Sequence, residues 1–163
     1  MTVSKSAISH ITLRFPDRNG TPAQMLRESD TAISDLIKES VFQPLNNDNG
    51  PYRIELSIQN NRLIFQIQND AKEDLPSLIL SLSPYRRIIR DYFLMIESHE
   101  TARKAGQRAK LEPIDMARRG LHNEAAEIMM ERMEDKIEMD METARRFFTL
   151  ICALHIGQPR LWR

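Results

Sequence analysis

No second cysteine is available to pair with Cys152, so an intramolecular disulfide is excluded. Its place inside the apolar run 147–154 predicts a buried thiol that packs as a small hydrophobe, in keeping with a reducing cytoplasm. Long apolar runs are missing as well. Those present span a few residues and are broken by charge, far short of the roughly 20 residues a membrane-spanning helix needs, so no membrane contact is expected. Residues 1–10 carry Lys5 but no apolar segment of the about 7–15 residues that signal peptides use, and the chain is expected to stay in the cytoplasm. An excess of one charge is absent: 23 basic side chains balance 23 acidic ones. That removes the overall field that draws a protein to nucleic acid or anionic lipid. With aromatics at only 6%, stacking surface for single strands is scarce too, and nucleic acid is not an expected partner.

Metal-ligand spacing is lacking: His10 and His99 have no neighbouring donors, and Cys152 with His155 is too small a set for a structural zinc. Neither a phosphate loop, nor a G-x-S-x-G elbow, nor an H-E-x-x-H pair occurs. No metal and no cofactor are therefore expected.

What is present is an ordinary globular composition, 41% hydrophobic and 28% charged. A chain of 163 residues suits one domain, which at that length buries about 68–70% of its unfolded surface. We expect a single domain over 1–163, strand-rich from about 7 to 82 and helical from about 83 to 157. Ile11, Leu13 and Phe15 alternate as a first strand. Thr21-Pro22-Ala23-Gln24 supplies a cap, a first-turn Pro and a Gln three after the cap, and Met25, Ser29, Ala32, Ile33, Leu36, Ile37 and Ser40 continue one helical stripe. After a loop at 43–50, Tyr52, Ile54, Leu56 and Ile58 alternate with polar residues. Leu63, Phe65 and Ile67 do so again beyond Asn60-Asn61-Arg62, which is the pattern of a hairpin. Residues 78–82 predict a further strand.

From Ser83-Pro84 the period changes. Tyr85, Ile88, Ile89, Tyr92, Phe93 and Ile96 share a face of a helix running to about Ala105-Gly106. Pro113 opens another; the sequence leaves open whether Gly120 interrupts it and Asn123 caps a restart, since Gly costs about 1 kcal/mol against Ala inside a helix. Ile128, Met129, Met133 and Ile137 line its later face, and Met141, Ala144, Phe147, Phe148, Ile151 and Leu154 line a last helix ending at Gly157 and Pro159. The predicted architecture is α+β: an antiparallel sheet of about four strands with one inserted helix, followed by three C-terminal helices.

Four strings stand together in order and spacing: Gly50-Pro51-Tyr52, the stretch 83–92 (SPYRRIIRDY), the stretch 115–124 (DMARRGLHNE) and the stretch 143–152 (TARRFFTLIC). Over about 11–155 the chain resembles the uncharacterised bacterial protein family UPF0262. The resemblance implies a bacterial cytoplasmic protein and carries over no activity, ligand or site.

Three Arg-Arg pairs, Arg86-Arg87, Arg118-Arg119 and Arg145-Arg146, fall on separate predicted helices. Guanidinium groups present planar forks of donors that match phosphate or carboxylate, so converging pairs would make an anion pocket. The plainer reading assigns Arg87 to Asp91, Arg119 to Asp115 and Arg146 to Glu142 as i,i+4 pairs, each worth about 0.2–0.5 kcal/mol. That spacing assigns no acid to Arg86, Arg118 and Arg145, nor to Arg90. The anion-binding candidates are Arg118, Arg119, Arg145, Arg146 and Arg86. On a continuous helix Asp115, Arg118, Arg119 and His122 share a face, which makes His122 the candidate proton-transfer residue; the plainer reading gives it a cap or an interhelix hydrogen bond. His155 falls on the stripe of the last helix, as a hydrogen-bonded core or helix-end residue whose cationic form the helix C-terminus favours by about 0.3–1 kcal/mol. The methionines 129, 130, 133, 139 and 141 suit core packing or an interface with a protein partner or a second copy of the chain. The tail at 160–163, with the sole Trp162, is expected to fold back. Taken together the residues favour a small non-enzymatic binding or regulatory protein acting through a protein partner. The alternative is a small enzyme that holds an anionic or phosphorylated substrate in an Arg/His pocket.

Overall fold

The structure is a computed structural model and describes residues 6–15 and 23–156. The cap at Thr21-Pro22, the final stop at Gly157 and Pro159, and the tail with Trp162 lie outside those residues.

Strand β1 (Ile8–Leu13) leads into helix α1 (Ala23–Lys38), and a short strand β2 (Phe42–Pro44) follows. Next come β3 (Tyr52–Gln59), β4 (Arg62–Gln68) and β5 (Leu78–Ser81), then α2 (Arg86–Lys104), α3 (Leu111–Met133), β6 (Ile137–Met139) and α4 (Met141–Ile156). The fold is α+β, with four strands in the main sheet in the order β1-β3-β4-β5. The hairpin of β3 and β4 matches its alternation: Leu56 sits opposite Phe65 and Ile54 opposite Ile67. Asn60 and Asn61 turn it with φ of 52° and 58°, the left-handed pair that a two-residue hairpin turn requires and that Asn tolerates.

The sheet is mixed, not purely antiparallel. β1 pairs with β3 in parallel, Ile11 beside Ile54 and Leu13 beside Leu56, because the chain between them travels out through α1 and returns to the same end. A tight hairpin would have reversed it; a crossover of a dozen or more residues permits the parallel pairing.

A separate two-stranded ribbon joins β2 to β6, with Phe42 opposite Met139 and Pro44 opposite Ile137. Part of the expected loop at 43–50 is thus strand, and Ile137 belongs to this ribbon rather than to a helical stripe. The ribbon seals one end of the core. Phe42 lies 5.9 Å from Phe147 of α4 and 6.5 Å from Phe65 of β4, ring centre to ring centre, in the range where aromatic pairs add to simple burial.

α3 runs unbroken through Gly120, the point the sequence leaves open, and Asn123 is an interior helical residue rather than a cap. The face formed by Ala125, Ala126, Met129 and Met133 is buried, and that packing outweighs the roughly 1 kcal/mol propensity loss of one glycine. α2 ends as predicted. Gly106 has φ +69°, its N–H donates to the Arg103 carbonyl at 3.2 Å, and the Gln107 N–H donates to Ala102 at 2.9 Å, the two bonds of a Schellman close. Ser83 makes no capping bond and stands in a 3-10 turn before α2. α4 packs against α1, α3 and β3, with Ala144, Phe147, Phe148, Ile151 and Leu154 buried. Of the methionine stripe, Met129, Met133 and Met139 are buried and Met130 and Met141 pack against the same core. Those thioethers are used inside the chain. Among the described residues no helix is long and apolar enough to cross a membrane.

Candidate functional site

A polar cluster forms where α1, α2, α3 and α4 meet, and Arg118 is its hub. From α3 its Nη2 donates to Glu28 Oε1 on α1 at 3.1 Å and to the Tyr92 hydroxyl on α2 at 3.3 Å, while its guanidinium carbon stands 5.5 Å from the centre of the Tyr92 ring. Tyr92 in turn donates to Glu28 Oε2 at 3.3 Å. Burial alone pulls the Arg118 pKa down, but the Tyr92 and Glu28 contacts outweigh it and hold the pKa above the usual arginine value. Burial raises the Tyr92 pKa strongly. Arg118 stays a cation and Tyr92 a neutral phenol.

One turn along α3, His122 Nδ1 lies 3.0 Å from the Arg118 carbonyl oxygen. A carbonyl only accepts, so Nδ1 carries the hydrogen in the neutral ring. That leaves Nε2 as the acceptor for the Thr149 hydroxyl of α4 at 3.2 Å. The ring meets Tyr92 and Phe148 edge-on at 5.1 and 5.2 Å. Burial lowers the His122 pKa, with the Arg118 and Arg145 cations pushing the same way.

Two neighbouring cavities share Arg118 and His122 in their walls. The smaller, 230 Å³, is lined by Asp115, Arg118, Arg119, His122 and Arg145. Three guanidinium groups against one carboxylate give its lining a net charge of +2. The larger, 340 Å³, brings in Arg146, Thr149 and Tyr92 together with Arg27, Glu28, Thr31 and Asp35 from α1. Arg27, Arg118 and Arg146 against Glu28 and Asp35 leave +1 there. Such a net charge in a concave, partly desolvated setting favours an anion.

The expected arginine pairing is revised in two of three cases. Arg87 does bind Asp91, at 3.2 Å, and also Glu124 of α3. But Asp115 pairs with Arg118 at 3.7 Å rather than with Arg119, and Glu142 pairs with Arg145 at 3.0 Å rather than with Arg146. Positions three and four apart are both neighbours on a helix, and tertiary contacts decide between them: Arg146 reaches Glu39, donating to its carbonyl at 3.0 Å and its carboxylate at 3.2 Å. Arg119 is exposed and has no hydrogen bond or ion pair among the described residues. Arg86 is exposed at the first residue of α2 and lines neither cavity.

The arginines at the smaller cavity are incompletely satisfied. The Nε atoms of Arg118 and Arg145 are buried with no hydrogen-bond partner among the described residues, at a cost of about 1–3 kcal/mol each. Sequence reasoning found Arg118, Arg119, Arg145 and His122 but missed Glu28, Thr31, Asp35 and Thr149. The only signal for the α1 residues was their spacing, which puts 28, 31 and 35 on one side of the helix.

Elsewhere, a 450 Å³ cleft lies on the open face of the sheet. Its ionic groups are Arg53, Glu55 and Asp74, and Arg53 is already bound to His10 at 3.0 Å. Cys152 is buried and its thiol is pushed well up by desolvation, which disfavours the reactive thiolate. Among the described residues no group of three or more His, Cys, Asp or Glu is placed to share a metal ion.

The model of the uncharacterised protein family UPF0262 matches residues 5–157. A UPF0262 protein of Hyphomonas neptunium is 50% identical over 160 residues, 98% of either chain. Another, of Brucella anthropi, is 50% identical over 129 residues, 78% of this chain and 81% of its own. A third, of Erythrobacter litoralis, is 44% identical over 158 residues, covering 94% and 99%. No solved structure matches the chain.

Proposed function

The chain belongs to the uncharacterised protein family UPF0262, and for this member we propose a non-enzymatic role: a cytoplasmic, single-domain binding protein that holds a small anion between α3 and α4. Arg118, Arg119 and Arg145 supply the positive charge, and Arg146 contributes from the adjoining cavity. The observation that carries this reading is the convergence of Arg118, Arg119 and Arg145 against the single carboxylate of Asp115 around the cavity of net charge +2, where Arg119 makes no hydrogen bond or ion pair among the described residues. A phosphate or carboxylate offers acceptors in the geometry such donors need.

Binding is favoured over catalysis by the state of His122. Both its ring nitrogens are engaged, by the Arg118 carbonyl and by Thr149, and burial keeps the ring neutral. It positions α3 against α4 and is not poised to exchange a proton with a bound molecule. A protein partner draws less support. Among the described residues the exposed large apolar side chains are Ile37, Leu45, Ile79, Leu94 and Met116, each from a different segment, a small supply for the apolar core that an interface uses.

Thermal unfolding with inorganic phosphate, sulfate and citrate tests the site. An anion at 100 times its dissociation constant adds about 2.7 kcal/mol, which for a domain of this size raises Tm by about 5–10 °C. Arg119→Ala, which removes an exposed residue without a recorded partner, is expected to keep the ligand-free Tm within a degree or two and to lose most of that shift. No shift with any anion at constant ionic strength overturns the reading.

A further inference from the structure

We propose that the ligand is a small phosphorylated polyol of the sugar phosphate class, with its phosphate in the 230 Å³ cavity and its hydroxylated body in the 340 Å³ one. This rests on the anion site above and extends it.

Because Arg118 and His122 border both cavities, a ligand anchored on Arg118 has room on either side. The two compartments differ in chemistry. The smaller presents guanidinium groups against a single carboxylate and suits a multiply charged oxyanion. The larger adds Glu28, Asp35, Thr31 and Thr149, which are acceptors and hydroxyls. Glu28 is taken up by Arg118 and Tyr92, but the Asp35 carboxylate has no hydrogen bond or ion pair among the described residues. The Asp35 carboxylate is thus an acceptor left open to a donor from the ligand.

That donor is either a ligand ammonium or a ligand hydroxyl. Three arginines against two acids already leave the lining at +1, so a cationic ligand group enters against the local potential. A neutral hydroxyl enters without that penalty; it donates to Asp35 and accepts from Thr31 and the arginines. A nucleobase is disfavoured as the body. The buried Tyr92 ring is the aromatic group of the lining, and Arg118 stands over it while His122 and Phe148 pack against it, leaving no open face for stacking. At 340 Å³ the compartment lies near the lower end of ligand sites, about 300–1,000 Å³, which suits a single sugar-sized body.

Titration calorimetry on the full chain decides it, with inorganic phosphate, ribose 5-phosphate, glucose 6-phosphate, glucosamine 6-phosphate and free ribose as probes. One or both of the neutral sugar phosphates is expected to bind at least tenfold tighter than phosphate, with free ribose undetectable. Asp35→Ala is expected to remove that tenfold advantage while leaving phosphate binding unchanged, and Thr31→Val to reduce it a few-fold. Arg119→Ala weakens phosphate and sugar phosphate alike. Circular dichroism of each variant confirms that it is folded, and the two α1 substitutions are independent of one another. Phosphate binding as tightly as every sugar phosphate overturns this inference and leaves the anion site standing. Preference for the amino sugar overturns the charge argument and with it the proposal. Failure of phosphate and all the sugar phosphates to bind overturns both.

Discussion

His155 shows how little a side chain's place on a stripe says about its charge. It is buried in α4 with neither ring nitrogen hydrogen-bonded among the described residues, where a bonded, cation-favouring ring was expected. Desolvation in the core exceeds the roughly 0.3–1 kcal/mol that a helix C-terminus offers a cation, and burial lowers its pKa to about 4. The folded state therefore keeps the ring neutral while the unfolded chain takes up a proton near pH 6.5. The associated stability is fully present above pH 6.5 and is lost as pH falls from there toward 4, about 3 kcal/mol in all. His155→Leu, which removes both unsatisfied nitrogens at similar volume, is expected to be neutral or stabilising at pH 7 and to flatten the fall in Tm between pH 7 and pH 4.5. A variant that loses as much stability as the wild type over that interval would exclude His155 as the origin. The site residues teach a related lesson. The arginine pairs are visible in the chain because adjacent identical residues on three helices are conspicuous. Their partners are not, since Glu28 lies 90 residues from Arg118 and no spacing rule reaches that far.

Among the elements, those with several periods of pattern were readable and the short ones were not. β3 and β4 repeat their alternation over eight and seven residues, and the Asn-Asn turn between them adds the left-handed conformation that joins them. β2 and β6 have three residues each, too few for a period to show, and Ile137 was drawn into a helical stripe because it stands four after Met133. The direction of β1 against β3 has no counterpart in the alternation, which is the same for either pairing. Whether α3 continues through Gly120 was not legible for a different reason: propensity argues locally, while α3 is held by the face it buries. A methyl group added at Gly120 meets nothing within 4 Å, so Gly120→Ala is expected to stabilise the fold by about 0.5–1 kcal/mol and to raise Tm by about 1–4 °C. Gly106 gives the opposite result. Its φ of +69° strains any residue with a Cβ, so Gly106→Ala is expected to lower Tm although that site is equally open. Chemical denaturation of the two variants side by side distinguishes packing from backbone conformation, since both additions are the same methyl group.

For the molecule as a whole, the question is whether the strand-rich and helical stretches form one cooperative unit. The aromatic cluster argues that they do. Phe147 of α4 lies 5.6 Å from Phe65 in the sheet and 5.9 Å from Phe42 in the ribbon, and all three are fully buried. The ribbon itself pairs a strand from before the hairpin with one that comes after α3, so neither stretch completes its core without the other. Truncating Phe147 to Ala removes contacts to both at once and is expected to cost about 3–5 kcal/mol, a large share of the 5–15 kcal/mol typical of a domain. The shape of the transition carries the test. With one cooperative unit, far-ultraviolet circular dichroism, which follows the helices, and hydrogen-exchange protection of the β3 and β4 amides move together to a lower denaturant midpoint with a single inflection. If the β3 and β4 protection is lost before the helices in Phe147→Ala, or in the wild type, the strand-rich part unfolds on its own and the single-domain reading is wrong. Coincident transitions would also mean that an anion bound between α3 and α4 stabilises the distant hairpin as much as the helices that touch it.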